Sequence, residues 1–564
     1  MGDGRDSYKV VIFNSVPRLL TLLDRDSSSQ TYGSFDRQHW AWANKDFVNA
    51  DFQRGVYILA ILFTERFSGN TYYNNKNILK WIFAGFDYWV KIQHKNGSFD
   101  QWYPWENSVG TTGFTLCALG EAFLLIQENI PGKQKKRLLA AFDKAANFIC
   151  RYRETHGLIS NHLAGMALAL LNASNILSNH KYLEQSNKLL QRIFEGQSAE
   201  GWYSEYDGAD PGYETLGIAY LAKYWKKTQD PQLFLSLKRS IDYLVYFVHP
   251  DGTLGGEYGS RNTELYYPSG MEILKTVLPQ AGYIANKMII GIKQGYTLSP
   301  LTIDDFNFVP LLSSYLDAYK NLEPEMTENI NGVELDNFKY FDKSKIAVWT
   351  TDKIKLIIGL VKGGVIRCYG NDGTLLYSDC GYIAYLRNGS KISSQFLDYN
   401  DNCQVSEANC CLERYFSYVP EHQMTPVFYL LLRIFSLTVG RCSRVGNWAK
   451  NLLVGRLIRY KKMSSLKIIR SVQISKEKLL IKDYLKIEGK IKVKELIRKS
   501  KFSTIFMGSA RYFNPQELYQ EDKQIDNQQI KQLNNQGFLE LAKEVPLTSG
   551  YTKIFIEHTR LSKF

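Results

Sequence analysis

The sequence predicts an α+β multidomain chain: an N-terminal α/α toroid, an incomplete helical barrel, over 1–330, then an antiparallel β-sandwich over 331–564. Two observations carry this reading. A degenerate motif recurs through the first part, and near 329–343 the apolar runs change from helical to alternating texture. A length of 564 residues also exceeds what one core ordinarily holds.

The motif comes first. Gly-Ser-Phe-Asp stands at 33–36 and again at 97–100, followed by His39-Trp40 and Trp102-Tyr103. Looser copies follow around Gly157, Gly201 and Gly252. Between these markers, 52–63, 78–92, 112–126, 138–152, 163–177, 216–225 and 234–248 carry helical apolar periodicity. Two helices fit each interval, so a connection bearing glycine and aromatics recurs at one end of every hairpin. Curling the hairpins into a ring sets those connections around one mouth; an open solenoid is the alternative.

In the second part, 346–350, 355–360, 365–369, 375–379 and 392–396 read as strands, and Asn371-Asp372-Gly373 as a hairpin turn. The runs 466–474 and 479–487 form a further alternating pair. An apolar and basic helical insertion around 424–462 interrupts them. Its segment 427–439 is strongly apolar, and Arg441, Arg444, Lys450, Arg456, Arg459, Lys461 and Lys462 follow. Thirteen helical residues rise only about 20 Å, short of a bilayer core of about 30 Å. The two readings are an interfacial anchor on anionic lipid through 427–462 and a helix packed on the toroid.

Charge separates the two parts. Residues 1–330 hold 32 Lys+Arg against 34 Asp+Glu, whereas 331–564 hold 37 against 22. A basic face implies an anionic partner. Nucleic acid is not the expected one, because no module fingerprint is present and many of the cations fall on alternating strand positions. The eight cysteines show no CxxC, so neither a disulfide framework nor a metal site is indicated, and nothing calls for a cofactor. The start lacks the pattern of a signal peptide, and the expected location is cytoplasmic, with peripheral membrane contact.

Three loops of the first part carry reactive residues: Asn161-His162 in GLISNHLAGMALAL, 203–214 in GWYSEYDGADPGYETL, and 257–262 in GGEYGSRN. An Asn-His pair opening a helix, with a Gly- and Tyr-rich loop some forty residues on, resembles the heparinase II/III-like polysaccharide lyases. That family couples a toroid to a sandwich in this order. The resemblance implies β-elimination on a uronate-containing glycan. The proton beside the uronate carboxylate is weakly acidic until that charge is neutralised, and Asn161 and His162 match the family's neutralising position. Tyr206 or Tyr213 matches the tyrosine that removes the proton and returns it to the leaving oxygen; the sequence leaves the two open. A phenol of pKa about 10 needs a nearby cation for this, and Arg261 or a protonated His162 is at hand. Glu257, Tyr258 and Asn262 sit in the third loop as substrate contacts.

The aromatics His39, Trp40, Trp42, Trp102, Tyr103, Trp105 and Trp202 recur in the marker loops, with Glu106, Tyr203 and Glu205 beside them. Flat apolar faces next to polar groups suit a sugar. Plainer readings stand alongside: Ser160 and Asn161 as a helix cap, His162 as a packing histidine, Asp210-Pro211-Gly212 as a helix-starting turn, and the aromatics as core. The family's further histidine on the β domain has only His422 and His558 to match it. Two other functions compete. A glycoside hydrolase, or another toroid enzyme on a membrane-linked glycan, draws paired carboxylates from Asp100, Glu106, Glu205, Asp207 and Glu257; a glycan-binding or assembly protein lacks catalysis altogether.

Overall fold

The computed structural model describes residues 4–151, 159–206, 208–322, 333–400, 402–419, 425–441, 462–504 and 508–547, with isolated positions between 445 and 455. Gly157, Asp207, His422, His558, Arg444, Lys450, Arg456, Arg459 and Lys461 lie outside the described residues.

The first part holds α1 (Gly4–Leu22), α2 (Arg37–Trp40), α3 (Gly55–Thr64), α4 (Lys76–Ile92), α5 (Val109–Ile126), α6 (Gly132–Arg151) and α7 (Ser160–Leu177). It continues through α8 (His180–Gly196), α9 (Pro211–Thr228), α10 (Pro231–Leu244), α11 (Ser269–Leu274), α12 (Pro279–Gln294) and α13 (Asp305–Lys320). Sequence chemistry sorts them into two rings. Helices α3, α5, α7 and α9 are apolar or small over most of their length and largely buried, only the last turns of α7 and α9 reaching solvent, and the short α11 is buried throughout. Helices α4, α6, α8 and α10 bury one stripe and turn Lys, Gln and Glu outward. The inner helices pack in succession, α3 on α5 and so on to α13. Tyr57 of α3 donates to Asp317 of α13 at 2.6 Å, where the first and last of these inner helices meet.

The structure explains the marker glycines. Gly33, Gly97 and Gly201 each have φ between +91° and +108°. A Cβ at Gly97 would lie 2.2 Å from the Lys144 carbonyl oxygen of α6; at Gly33 and Gly201 it would meet Ala84 and Arg239 equally closely. Each marker is therefore where a connection presses its backbone on the next outer helix. A glutamine clamps each contact: Gln93 donates to Gly97 and Ala141, Gln197 to Gly201 and Ser236, and Gln53 to Gly33 and Gly85. Gly97→Ala is expected to cost at least about 1–3 kcal/mol, read as a lower urea midpoint, because it adds a left-handed strain to a clash.

The second part is two stacked antiparallel sheets. One is the meander β1 (Phe338–Phe341), β2 (Ile346–Thr350), β3 (Ile354–Gly359), β4 (Val365–Gly370) and β5 (Leu375–Asp379), with the expected turn at 371–373 joining β4 to β5. The other contains β6 (Tyr382–Leu386), β7 (Lys391–Ser393), β8 (Asn402–Val405), β9 (Asn409–Tyr418), β10 (Met463–Ile474), β11 (Lys478–Ile487), β12 (Val493–Arg498), β13 (Lys523–Gln524) and β14 (Phe538–Pro546). Its order is β13-β12-β6-β7-β9-β10-β11-β14, with β8 also on β9, and Leu466 faces Ile487 in the expected β10–β11 pair. Helix α14 (Pro426–Leu437) leaves this sheet between β9 and β10, and α15 (Asn527–Gln536) packs beside β14.

Every residue of β3 and β4 is buried, because the meander is covered on both faces. The second sheet covers one, and Arg470 ties the layers by pairing with Asp379 at 3.2 Å and Asp483 at 2.7 Å. The toroid covers the other. There Trp202, Tyr243, Phe247 and Tyr258 pack against Phe341, Val348, Ile357 and Val365. This junction decides which marker loops stay open.

Candidate active site

Inner helices α3, α5, α7, α9 and α11 each follow a marker glycine in the chain, and the loops before them touch one another. The Ala50 amide donates to the Asp100 carbonyl, Trp102 stacks on Phe306 at 5.5 Å, Ile159 bridges to Glu205, and the Ser260 amide donates to Ala209. Loops remote in sequence thus line a common basin, toward which the inner-helix N-termini point.

At the floor, Glu205 takes the place of a cap. Helix α7 has Ile159 as its N-cap and no side-chain cap bond, so its first amides need an acceptor. Glu205 Oε1 accepts the Asn161 amide at 3.0 Å, and both its oxygens accept Asn161 Nδ2 at 2.9 and 2.8 Å. Arg261 Nη1 approaches Glu205 Oε2 at 3.2 Å. The guanidinium carbon lies 3.8 Å from the Tyr213 ring centroid and 4.7 Å from that of Tyr206. Burial pushes the Glu205 carboxyl above its ordinary range, against the pull of Arg261 and the Asn161 donors. Burial also opposes the charge on Arg261, but Tyr213 and Glu205 outweigh it and hold the guanidinium pKa above its usual value.

Asp210 builds the facing wall. It caps α9 by accepting the Tyr213 amide at 3.0 Å, with Pro211 opening the helix as expected, and its other oxygen accepts the Arg261 amide at 2.8 Å. Tyr213 is thereby fixed in the first turn of α9, half-buried, with its hydroxyl donating to Ser509 at 2.7 Å. Tyr206 is half-buried with φ +53°, a left-handed conformation uncommon for a tyrosine and concentrated at functional loops. His162, half-buried, meets Phe114 edge-to-face at 5.2 Å. Phe114 stacks on Tyr220, and Arg54 lies 5.3 Å over Phe114 while pairing with Asp51.

Asn161, His162, Tyr206, Tyr213 and Arg261 therefore converge, but not all in the expected posture. Asn161 is 1 % exposed and its amide is engaged by Glu205, so it faces the scaffold and not the basin. The reason is the uncapped start of α7. Several expected substrate contacts are corrected likewise. Tyr203 is in the core with its hydroxyl on Ser236; Trp202 and Tyr258 are packed at the junction with the meander, Tyr258 bonding His249. Glu257 is buried in a pair with Arg367, and Asn262 donates to Ser503 at 2.6 Å. The sandwich seals this side of the mouth, leaving those groups no free face. Glu205 is a buried scaffold carboxylate.

The open side keeps its aromatics. Trp102 is 57 % and Trp105 37 % exposed, and Trp105 stacks on His94 at 4.8 Å. Tyr103 is half-buried, as is Trp40, whose indole donates to Leu22. Glu106 accepts the amides of Gln101 and Trp102, shaping the loop that presents them. Sequence reasoning missed residues 499–504 and 508–519, which bring sandwich-domain side chains to the toroid loops. Besides Ser509, the Tyr512 hydroxyl meets Asp304 and accepts from Asn307 at 2.7 Å, while Lys501 pairs with Glu264 at 3.1 Å. No motif marks these residues.

Residues 58–270 match the model of the Ulvan lyase N-terminal domain. The whole fold resembles a xanthan lyase of Paenibacillus, with a TM-score of 0.52 and 12% identity, covering 87% of this chain and 46% of that one. It also resembles the chondroitin AC lyase of Streptomyces coelicolor A3 solved in complex with chondroitin sulphate, with a TM-score of 0.54 and 9% identity over 88% and 68% of the two chains. The chain thus spans less than half the length of the xanthan lyase. No curated protein matches the sequence. The toroid-plus-sandwich fold is that of polysaccharide lyases.

Proposed function

We propose that this chain, with the fold of polysaccharide lyases, cleaves a uronate-containing polysaccharide by β-elimination at the toroid mouth. One observation carries the reading: a buried guanidinium, balanced by Glu205, stands against two tyrosine rings at the edge of the basin. Arg261 offers a fixed positive charge to whichever phenol loses its proton. Tyr213 is the base in this reading, being closer to Arg261 and fixed by the α9 cap. His162 takes over the neutralising role, since Asn161 is occupied in holding Glu205.

The step balances without water. Tyr213 takes the proton from the carbon beside the carboxylate; the released pair forms a carbon–carbon double bond as the glycosidic carbon–oxygen bond breaks. The proton then passes to the leaving oxygen. Trp102, with one face on Phe306 and the other in solvent, stacks a sugar ring at the open rim.

Hydrolysis is less well served. Asp100 pairs with His94 at 2.9 Å, Glu106 holds its own loop, and Glu205 and Glu257 are ion-paired, so these carboxylates are committed. Incubation with uronate polymers tests the reading. New ultraviolet absorbance and new reducing ends are expected to rise together. Reducing ends without absorbance would indicate hydrolysis, and binding without either would indicate a protein that only holds glycan; both outcomes reject the proposal.

A further inference from the structure

Helix α14 sits where an apolar helix is least expected. It crosses from the second sheet to the toroid and is held there by cations: Arg433 pairs with Asp46 at 3.1 Å and stands over Phe47, and Arg441 stands 4.6 Å over Trp105. These contacts seat it at the rim made by the first two marker connections. Only Ser436 of the helix is buried, and Leu432, Arg433 and Phe435 are half-buried. Val427, Leu430, Leu431, Ile434 and Leu437, spaced three and four apart, form the opposite face and are 41–67 % exposed. Each such side chain is worth about 1.5–3 kcal/mol when fully buried, so this face calls for a partner.

Charge selects that partner. From 422 to 476 the chain contains no Asp or Glu, and the segment directly after the helix is rich in Lys and Arg. A second copy of this chain would set like charges against each other, and an uncharged apolar surface would leave the cations unmatched. An anionic bilayer meets both demands, with acyl chains for the apolar face and headgroups for the cations. A helix of 12 residues is about 18 Å long and cannot span the bilayer, but it can lie in its plane. Trp42, 70 % exposed in the neighbouring loop, is of the type that settles at such an interface.

We infer that α14 docks the protein in the plane of an anionic membrane with the toroid mouth at the lipid surface. The docking does not depend on the reaction in the basin. The test floats full-length protein with vesicles of phosphatidylcholine alone and with phosphatidylglycerol mixed in. Wild type is expected to float with the mixed vesicles, less so at high salt, and Leu430→Asp/Leu431→Asp to lose at least about tenfold in binding. The double variant is expected to keep the wild-type urea midpoint and its turnover of soluble oligosaccharide, which separates a docking failure from a site failure. Equal behaviour with both vesicle types, or a variant that floats like wild type, overturns the inference. So does a wild-type dimer that the variant dissociates, which would assign the face to a second copy.

Discussion

Tyr213→Phe is expected to lower turnover by about 10²–10⁴ while leaving substrate binding and the fold in place. The ring keeps its contact with Arg261, and only one hydrogen bond to Ser509 is lost, a change of about 1 kcal/mol in stability. Because the hydroxyl both takes the proton and returns it, kcat falls and KM does not rise. Tyr206→Phe is expected to remain within about tenfold, since a phenol that does not transfer the proton contributes shape and one polar contact. Steady-state rates for the two variants, followed by ultraviolet absorbance, separate the roles. Loss with Tyr206→Phe alone would exchange them; no loss with either would remove tyrosine from the mechanism.

The second large effect is on stability. Arg261→Ala leaves Glu205 buried and unbalanced beneath the basin, and removing one partner of such a pair costs about 3–5 kcal/mol. An unpaired buried carboxyl escapes part of that cost by taking up a proton, so the loss in urea midpoint is expected to be smaller near about pH 5 than near about pH 8. Arg261→Ala/Glu205→Gln is expected to regain much of the stability, because the neutral amide can still accept from the α7 amide. Activity stays lost, since the charge beside the tyrosines is gone. A double variant no more stable than Arg261→Ala would mean that the guanidinium acts through its packing on the rings.

The toroid was legible where its helices repeat an apolar pattern. Helices α3 to α7, α9 and α10 stand within a few residues of their expected places, whereas α8 is largely polar and α1, α12 and α13 lie outside the stretch that the marker glycines frame. The marker glycines were legible as a repeat, but not the glutamines that clamp them, because an isolated Gln looks the same in any loop. The site was legible as a set of loops, and the posture within each loop was not. Trp202 and Trp102 both follow a marker glycine, yet one packs on Phe341 and its neighbours while the other faces solvent. What separates them is the meander lying over one side of the mouth, a contact made by residues more than a hundred positions away. Asn161 misled for a related reason. Its amide looked free for a ligand until the uncapped start of α7 brought Glu205 to it.

The central claim is that the basin breaks a glycosidic bond without adding water. Weighing the fragments from a defined uronate oligosaccharide by mass spectrometry tests it most directly. Two products whose masses sum to that of the parent are the predicted result; products heavier in sum by one water would contradict it.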